Sequence, residues 1–410
     1  MLKNSAFQIL QIKNYRAFIM ARLFLVLGIG IQAVVVGWQV YDITKSEFSL
    51  GLVGLAEALP FIATSLFGGH LADLYNRKKI VFASNLLYLF CALLLAIISF
   101  YGAVIFKNYG VLPIYAIIAV AGLSRGFLAP AQGALITQLV KKEELVYAST
   151  IGSITFYFAS IVGCAVGGVL CASIGTANSY LIVVALSIIG LFKILQIEKI
   201  PNPPKQTSKE SIFVSLFAGV DFVFKNEILL AALALDMFAV LFGGAVAILP
   251  AFADKILHVG AFQFGLLRAA PSVGIVLVSL FLAYNPPRWR AGKILMFCVA
   301  GFGICTILFG ISRNIYLCFF FLMLSGMFDG VSVVIRSSIV PLFSPDHMRG
   351  RIEAVNKIFI GSSNEIGMME SGTAARLLGL VPSIVFGGCM TIAVVSVTYW
   401  RAKKLRTLDL

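Results

Sequence analysis

From Leu86 the chain reads LLYLFCALLLAIISF, without a charge, a proline or a glycine. Similar runs recur along the 410 residues. Many extend to about 20 residues, the length a helix needs to cross roughly 30 Å of hydrocarbon. The whole chain is 60% hydrophobic and 12% charged, against about 45–50% and about 25% in soluble domains. Lipid is the solvent such a chain requires. Backbone groups there must be paired internally, which leaves helices or closed barrels. Barrel strands would alternate over about 10 residues, and these runs do not. An all-α membrane protein is expected.

The hydrophobic runs predict twelve spans, near 15–41, 49–72, 79–101, 112–136, 146–172, 179–197, 227–250, 261–283, 293–311, 316–341, 351–375 and 381–400. The one long polar stretch, EKIPNPPKQTSKE at 198–210, reads as a linker. After it, Ile212, Leu216, Val220 and Val223 share one helical face, which suggests a helix lying in the interface. The expected division is a six-helix bundle over 1–197, a cytoplasmic linker with an interfacial helix over 198–226, and a second bundle over 227–410.

Lys and Arg gather on the cytoplasmic side of such proteins. With the N-terminus inside, the inner segments hold Lys3, Lys13 and Arg16; Arg77, Lys78 and Lys79; Lys141 and Lys142; Lys199, Lys205, Lys209 and Lys225; Arg288, Arg290 and Lys293; Arg349 and Arg351; and Arg401, Lys403, Lys404 and Arg406. The outer loops hold only Lys45, Lys107, Lys255 and Arg313. Both termini are therefore expected in the cytoplasm. The +14 net charge is scattered over short loops, which argues against a nucleic-acid partner. No cleavable signal peptide is expected in the first 16 residues. The seven cysteines all fall in spans and read as buried free thiols.

Two echoes suggest an internal repeat. ALITQLVKKEELVYA (134–148) and SSIVPLFSPDHMRGR (337–351) align at an offset of 203, and IVGCAVGG (161–168) aligns with EIGMMESG (365–372) one position further on. Parallel repeats of this kind build transporters whose halves rock about a central site.

Residues 68–79, GGHLADLYNRKK, sit between the second and third spans. They resemble the loop signature of the major facilitator superfamily, G-x-x-x-D-R-x-G-R-R/K, through Gly69, Asp73, Arg77 and Lys78. Leu74 replaces the usual Arg and Asn76 the usual Gly; Asn tolerates a left-handed turn better than most residues. The resemblance covers essentially the whole chain. It is nearest to the branch holding enterobactin exporters and macrolide efflux pumps, through YRAFIMARLFLVLG, APAQGALITQLV, RGRIEAVN and SSNEIGMMESG. It implies two pseudo-symmetric six-helix bundles, with Gly69, Asp73, Arg77 and Lys78 closing the cytoplasmic side near Arg349–Arg351. Gly163, Gly167 and Gly168 resemble the efflux-associated motif of the fifth helix, with Cys164 where Pro is usual. They imply tight packing of helices 5 and 8, or packing alone.

A charge at the middle of a span costs about 2.5–3.5 kcal/mol on insertion scales, so each one asks for a reason. Arg22, Glu57, Arg125, Asp236, Arg268, Asp329, Arg336, Glu365 and Glu370 lie in the first, second, fourth, seventh, eighth, tenth and eleventh spans. The middles of the third, sixth, ninth and twelfth have none, which fits the superfamily's lipid-facing set. Asp236, Asp329 and Glu365 are candidates for proton coupling, which needs a buried carboxyl that responds to substrate. A static Asp329–Arg336 pair that only orders packing is the alternative. Arg22, Glu57, Arg125, Arg268, Arg336 and Glu370 would supply cavity charge. Gln32, Trp38, Gln39, Tyr157 and Asn364 are candidate lining for a flat or amphiphilic solute.

No Walker A motif, intramembrane His/Cys cluster or Ser–His–Asp pattern is present, so no ATP drive, cofactor, metal site or enzymatic activity is expected. The expected function is proton-coupled export of a small organic compound, such as a siderophore or drug, by a monomer in a bacterial-type inner membrane. Uptake by symport and lysolipid flipping on the same fold are the rivals.

Overall fold

The computed structural model describes residues 9–198, 212–284, 290–345 and 348–409. Every regular element among them is helical. The long helices are α1 (Lys13–Thr44), α2 (Glu47–Leu74), α3 (Arg77–Phe100) and α4 (Leu112–Leu139), then α5 and α6 (145–174 and 176–195 of one 51-residue segment). They continue as α7 (Glu227–Gly243), α8 (Ala261–Tyr284), α9 (Ala291–Ile311), α10 (Ile315–Phe343), α11 (Arg349–Leu378) and α12 (Leu380–Arg401). The 51-residue segment would be about 76 Å long if straight, far beyond one hydrocarbon thickness. It breaks at Gly175, whose φ of 78° and ψ of 173° only glycine adopts readily.

Ten helical segments among the described residues are long and apolar enough to cross a membrane. Dividing the 51-residue segment at Gly175 gives one more pass. α11 is the twelfth: it spans 30 residues and carries charges, Glu370 and Arg376 among them, between its apolar residues.

The seventh span departs from the continuous run expected over 227–250. α7 ends at Gly243, Gly244 turns away (φ −76°, ψ 57°), and a 3-10 turn leads into a short helix, Leu249–Lys255. The Phe302 ring lies where a side chain at Gly243 would stand. The Ser371 hydroxyl donates to the freed Gly244 carbonyl at 3.2 Å, the kind of rescue a broken helix needs in lipid.

Three helix starts are set by asparagines. Asn226 caps α7 by accepting from Ile228 N (3.1 Å) and Leu229 N (3.2 Å). Asn314 caps α10 through Tyr316 N (2.9 Å) and Leu317 N (3.4 Å). Asn76 does the same for α3 through Lys79 N at 3.3 Å. Its backbone is extended (φ −61°, ψ 115°), not left-handed. Asn suits position 76 as a capping acceptor, a correction to the turn expected there.

The chain divides into two compact units: Met1–Thr44 with Ala56–Ser208 and Gly260–Ala269, and Lys45–Leu55 with Lys209–Val259 and Ala270–Leu410. Lipid gives helices no hydrophobic reason to associate, so small residues that admit a neighbour's backbone matter most. In the first unit, a Cβ at Gly163 would stand 2.8 Å from Leu27 O and one at Gly167 3.0 Å from Ile31 Cα, both on α1. Only Gly168 meets α8, at 2.7 Å from Ala261 O. The motif expected to join helices 5 and 8 therefore packs mainly on α1, because successive glycines point around the helix. Gly122 and Gly126 of α4 admit α2.

The second unit repeats this plan. Gly367 meets Leu241 O (3.0 Å) on α7, Gly372 meets Glu47 O (2.8 Å) on the 45–55 segment, and Gly326 and Gly330 of α10 admit α8 at Pro271 and Val278. Gly163 and Gly367, Gly168 and Gly372, Gly122 and Gly326, and Gly126 and Gly330 are all 204 positions apart. The repeat is one of contacts, not only of letters. The second unit's core joins Leu233, Ile335, Ile339 and Ile352 with Val223 of the helix Ile212–Lys225 and Leu405 of the C-terminal tail. The linker expected over 198–210 lies almost wholly outside the described residues.

Candidate functional site

α10 carries Asp329 and Arg336 seven residues apart, on one face by two helical turns. α7 brings Asp236 against the same face. Arg336 Nη1 bonds Asp236 Oδ2, and its Nη2 stands 3.8 Å from Asp329 Oδ1. Arg336 Nε also donates to Ser332 O at 3.4 Å. The side chains of Arg336 and Asp236 are each 7% exposed and that of Asp329 is 31% exposed. One guanidinium thus serves two carboxylates from two helices. With both acids ionised the group holds a net charge of −1, and a single proton neutralises it. The tie between Asp329 and Arg336 expected from their spacing exists, but Asp236 is the nearer partner. Spacing along one helix could not reveal a partner on another.

The first unit has its own pair. Arg125 Nη1 bonds Glu57 Oε1, joining α4 to α2, with the side chains 33% and 20% exposed. The Arg125 guanidinium also lies 5.8 Å from the Phe61 ring. Both residues were expected as cavity charges, and their pairing was not legible.

The remaining candidates divide by environment. Arg22 lies 5.9 Å from the Phe156 ring, and its buried Nε has no hydrogen-bond partner among the described residues. Gln32 is buried and its Oε1 likewise lacks one. Arg268 adjoins Cys164. Glu370 is half-buried beside the Ser371 hydroxyl at 3.5 Å. Tyr157 meets Phe156 edge-on at 5.6 Å, and Trp38 stacks on Phe264 at 6.0 Å. Gln39 departs from the lining role: it accepts from Tyr180 Oη at 2.8 Å and donates to Ser99 Oγ at 2.9 Å. Its amide is consumed in holding α1, α3 and α6 together. Asn364 is exposed and donates to Ile360 O of its own helix at 2.9 Å. The Glu365 side chain lies outside the described residues. Six cysteines are buried, but Cys389 is exposed, contrary to expectation, because it sits on an outer face of α12. No group of three metal-ligating side chains occurs among the described residues.

Residues 68–79, expected as a loop, are largely helical, with α2 running to Leu74 and α3 starting at Arg77; Arg77 donates to Ala134 O at 2.8 Å and Thr137 Oγ1 at 3.4 Å. Lys78 Nζ reaches Leu195 O at 3.3 Å and also Ile197 O. A cation there answers the exposed carbonyls and negative dipole end of α6. The side chains of Gly69, Asp73, Arg349 and Arg351 lie outside the described residues. Sequence reading missed the ion pairs at the start of α2: Lys255–Glu47 at 2.5 Å and Lys45–Asp254 at 3.9 Å.

A family model described as transmembrane secretion effector matches residues 4–409. The chain belongs to that family, within the major facilitator superfamily. The enterobactin exporter EntS of Salmonella typhi is 29% identical over 382 residues, which cover 91% of this chain and 88% of the exporter. The enterobactin exporter EntS of Escherichia coli O9:H4 (strain HS) is 27% identical over 406 residues, covering 94% and 93%. Among solved structures, a D-xylose–proton symporter superposes with a TM-score of 0.73 at 12% identity, over 97% of this chain and 99% of that one. This likeness concerns the fold alone. The chain is an integral membrane protein of the secondary-transporter class.

Proposed function

We propose that this protein exports a small organic or amphiphilic compound, of the siderophore or drug class, in exchange for protons by alternating access. The observation that carries the reading is the single Arg336 held between Asp236 and Asp329. A proton on Asp236 removes the charge that binds Arg336 and so loosens the tie between α7 and α10. Substrate binding and proton binding then compete for one set of helix contacts, which is the physical requirement for exchange. The membrane potential supplies about 2.3 kcal/mol per charge per 100 mV. The bacterial relatives named as enterobactin exporters support outward flux of a siderophore.

The two halves are assigned to 1–197 and 227–410, joined by a cytoplasmic linker over 198–226. Both termini lie in the cytoplasm of a bacterial inner membrane, and the working unit is a monomer. The test is siderophore transport in inside-out vesicles. Acid inside should drive accumulation by the wild-type protein, and Asp236→Asn should abolish it while remaining folded. Accumulation driven by the opposite gradient would make the protein an uptake symporter. Undiminished transport by the variant would remove Asp236 from the coupling.

A further inference from the structure

Beside the charged cluster is a cavity of about 10 Å³, walled by Asp236 of α7, Asp329 and Ser332 of α10, Cys298 of α9, and otherwise apolar side chains. That volume is room for one water molecule. Ser332 is 2% exposed, and its Oγ has no hydrogen-bond partner among the described residues. A buried hydroxyl left this way is costly, which points to a small polar guest within its reach. Ser332 stands three residues from Asp329 and four from Arg336, on the same face of α10. Asp329, at 31% exposed, is the more accessible acid, and Asp236, at 7%, the less accessible one.

We propose that this cavity binds one water, held by Ser332 Oγ, which passes protons between Asp329 and Asp236, and that Ser332 is a positioning residue for proton coupling. This rests on the reading of these acids as the coupling groups. The step balances simply. The Asp329 carboxyl gives its proton to the water oxygen, and the water gives one of its own to a carboxylate oxygen of Asp236. Asp329 is left ionised and the water unchanged. Arg336 remains charged throughout, with an ionised partner on one side or the other. Cys298 is the other titratable group on the wall; its thiol neither gains nor loses a proton in the step.

The test needs no transported substrate. The full-length protein in detergent is given a pH jump, and the carboxyl stretching bands are followed by time-resolved infrared spectroscopy. Asp236→Asn and Asp329→Asn each delete one band and so assign them. Ser332→Ala should slow the Asp236 band by about tenfold, the equivalent of one lost hydrogen bond of roughly 1.4 kcal/mol, and leave the Asp329 band unchanged. Ser332→Thr, which restores a hydroxyl, should restore the rate. Cys298→Leu, which fills the cavity and keeps Ser332, should slow the Asp236 band as Ser332→Ala does. Unchanged Asp236 kinetics in both Ser332→Ala and Cys298→Leu overturns the relay alone. Absence of any carboxyl response in the wild-type protein overturns proton coupling at these acids and the relay with it.

Discussion

Removing Arg336 tests the charge balance of the cluster most severely. Arg336→Leu keeps a bulky apolar side chain on α10 but leaves Asp236 and Asp329 facing each other with no cation. Their side chains are 7% and 31% exposed, so water cannot replace the guanidinium at Asp236. Breaking a buried pair from one side costs about 3–5 kcal/mol. With roughly 2–4 °C per kcal/mol for a unit of about 200 residues, the melting temperature should fall by roughly 6–20 °C. Asp236→Asn, by contrast, leaves a neutral Asp329–Arg336 pair and should melt within about 4 °C of wild type, the equivalent of about 1 kcal/mol. The triple variant Arg336→Leu, Asp236→Asn, Asp329→Asn contains no charge at all and should recover most of the loss. Fluorescence-detected thermal melting in detergent at pH 8 measures all three. An Arg336→Leu protein that melts within about 2 °C of wild type, or a triple variant as unstable as the single, would refute the reasoning.

Further expectations follow from other contacts. Glu57→Gln should destabilise by about 1–2 kcal/mol, less than Arg336→Leu because its pair with Arg125 is partly exposed, and melting temperature reads the difference. Tyr180→Phe should cost about 1–2 kcal/mol by leaving the buried Gln39 Oε1 without that donor, measured in the same melts. Gly326→Ala should be destabilising by about 1–3 kcal/mol, because its Cβ would run into the Pro271 backbone. Gly133→Ala, with nothing within 4 Å, should be neutral or stabilising by up to about 1 kcal/mol.

The amino-acid sequence carries the class of fold almost openly. Twenty-residue apolar runs have one structural use, a helix that crosses the bilayer. Charges inside those runs announce themselves through their cost, so Asp236, Asp329, Arg336, Glu57 and Arg125 stood out. Which charge meets which did not. Asp236 finds Arg336, and Glu57 finds Arg125, across helices far apart in the chain, and helical spacing reports only neighbours on one helix. The glycines show the same limit. Their spacing at 163, 167 and 168 announces close packing, but the partner depends on how the helix is rotated. Gln39 misled for a related reason: a polar side chain in a span looks the same whether it faces a solute or a tyrosine hydroxyl. The break after Gly243 lies inside a run that reads as one continuous span, and its rescue by Ser371 belongs to another helix.

The central proposal is that protons taken up at Asp236 and Asp329, on either side of Arg336, drive the outward movement of solute. The direct measurement is proton release and labelled-siderophore uptake recorded together in inside-out vesicles acidified inside. The account predicts that uptake and loss of the gradient rise together in the wild-type protein, and that both vanish in Asp236→Asn while binding of the siderophore persists. Uptake that proceeds at full rate with no proton movement, in either protein, would contradict it.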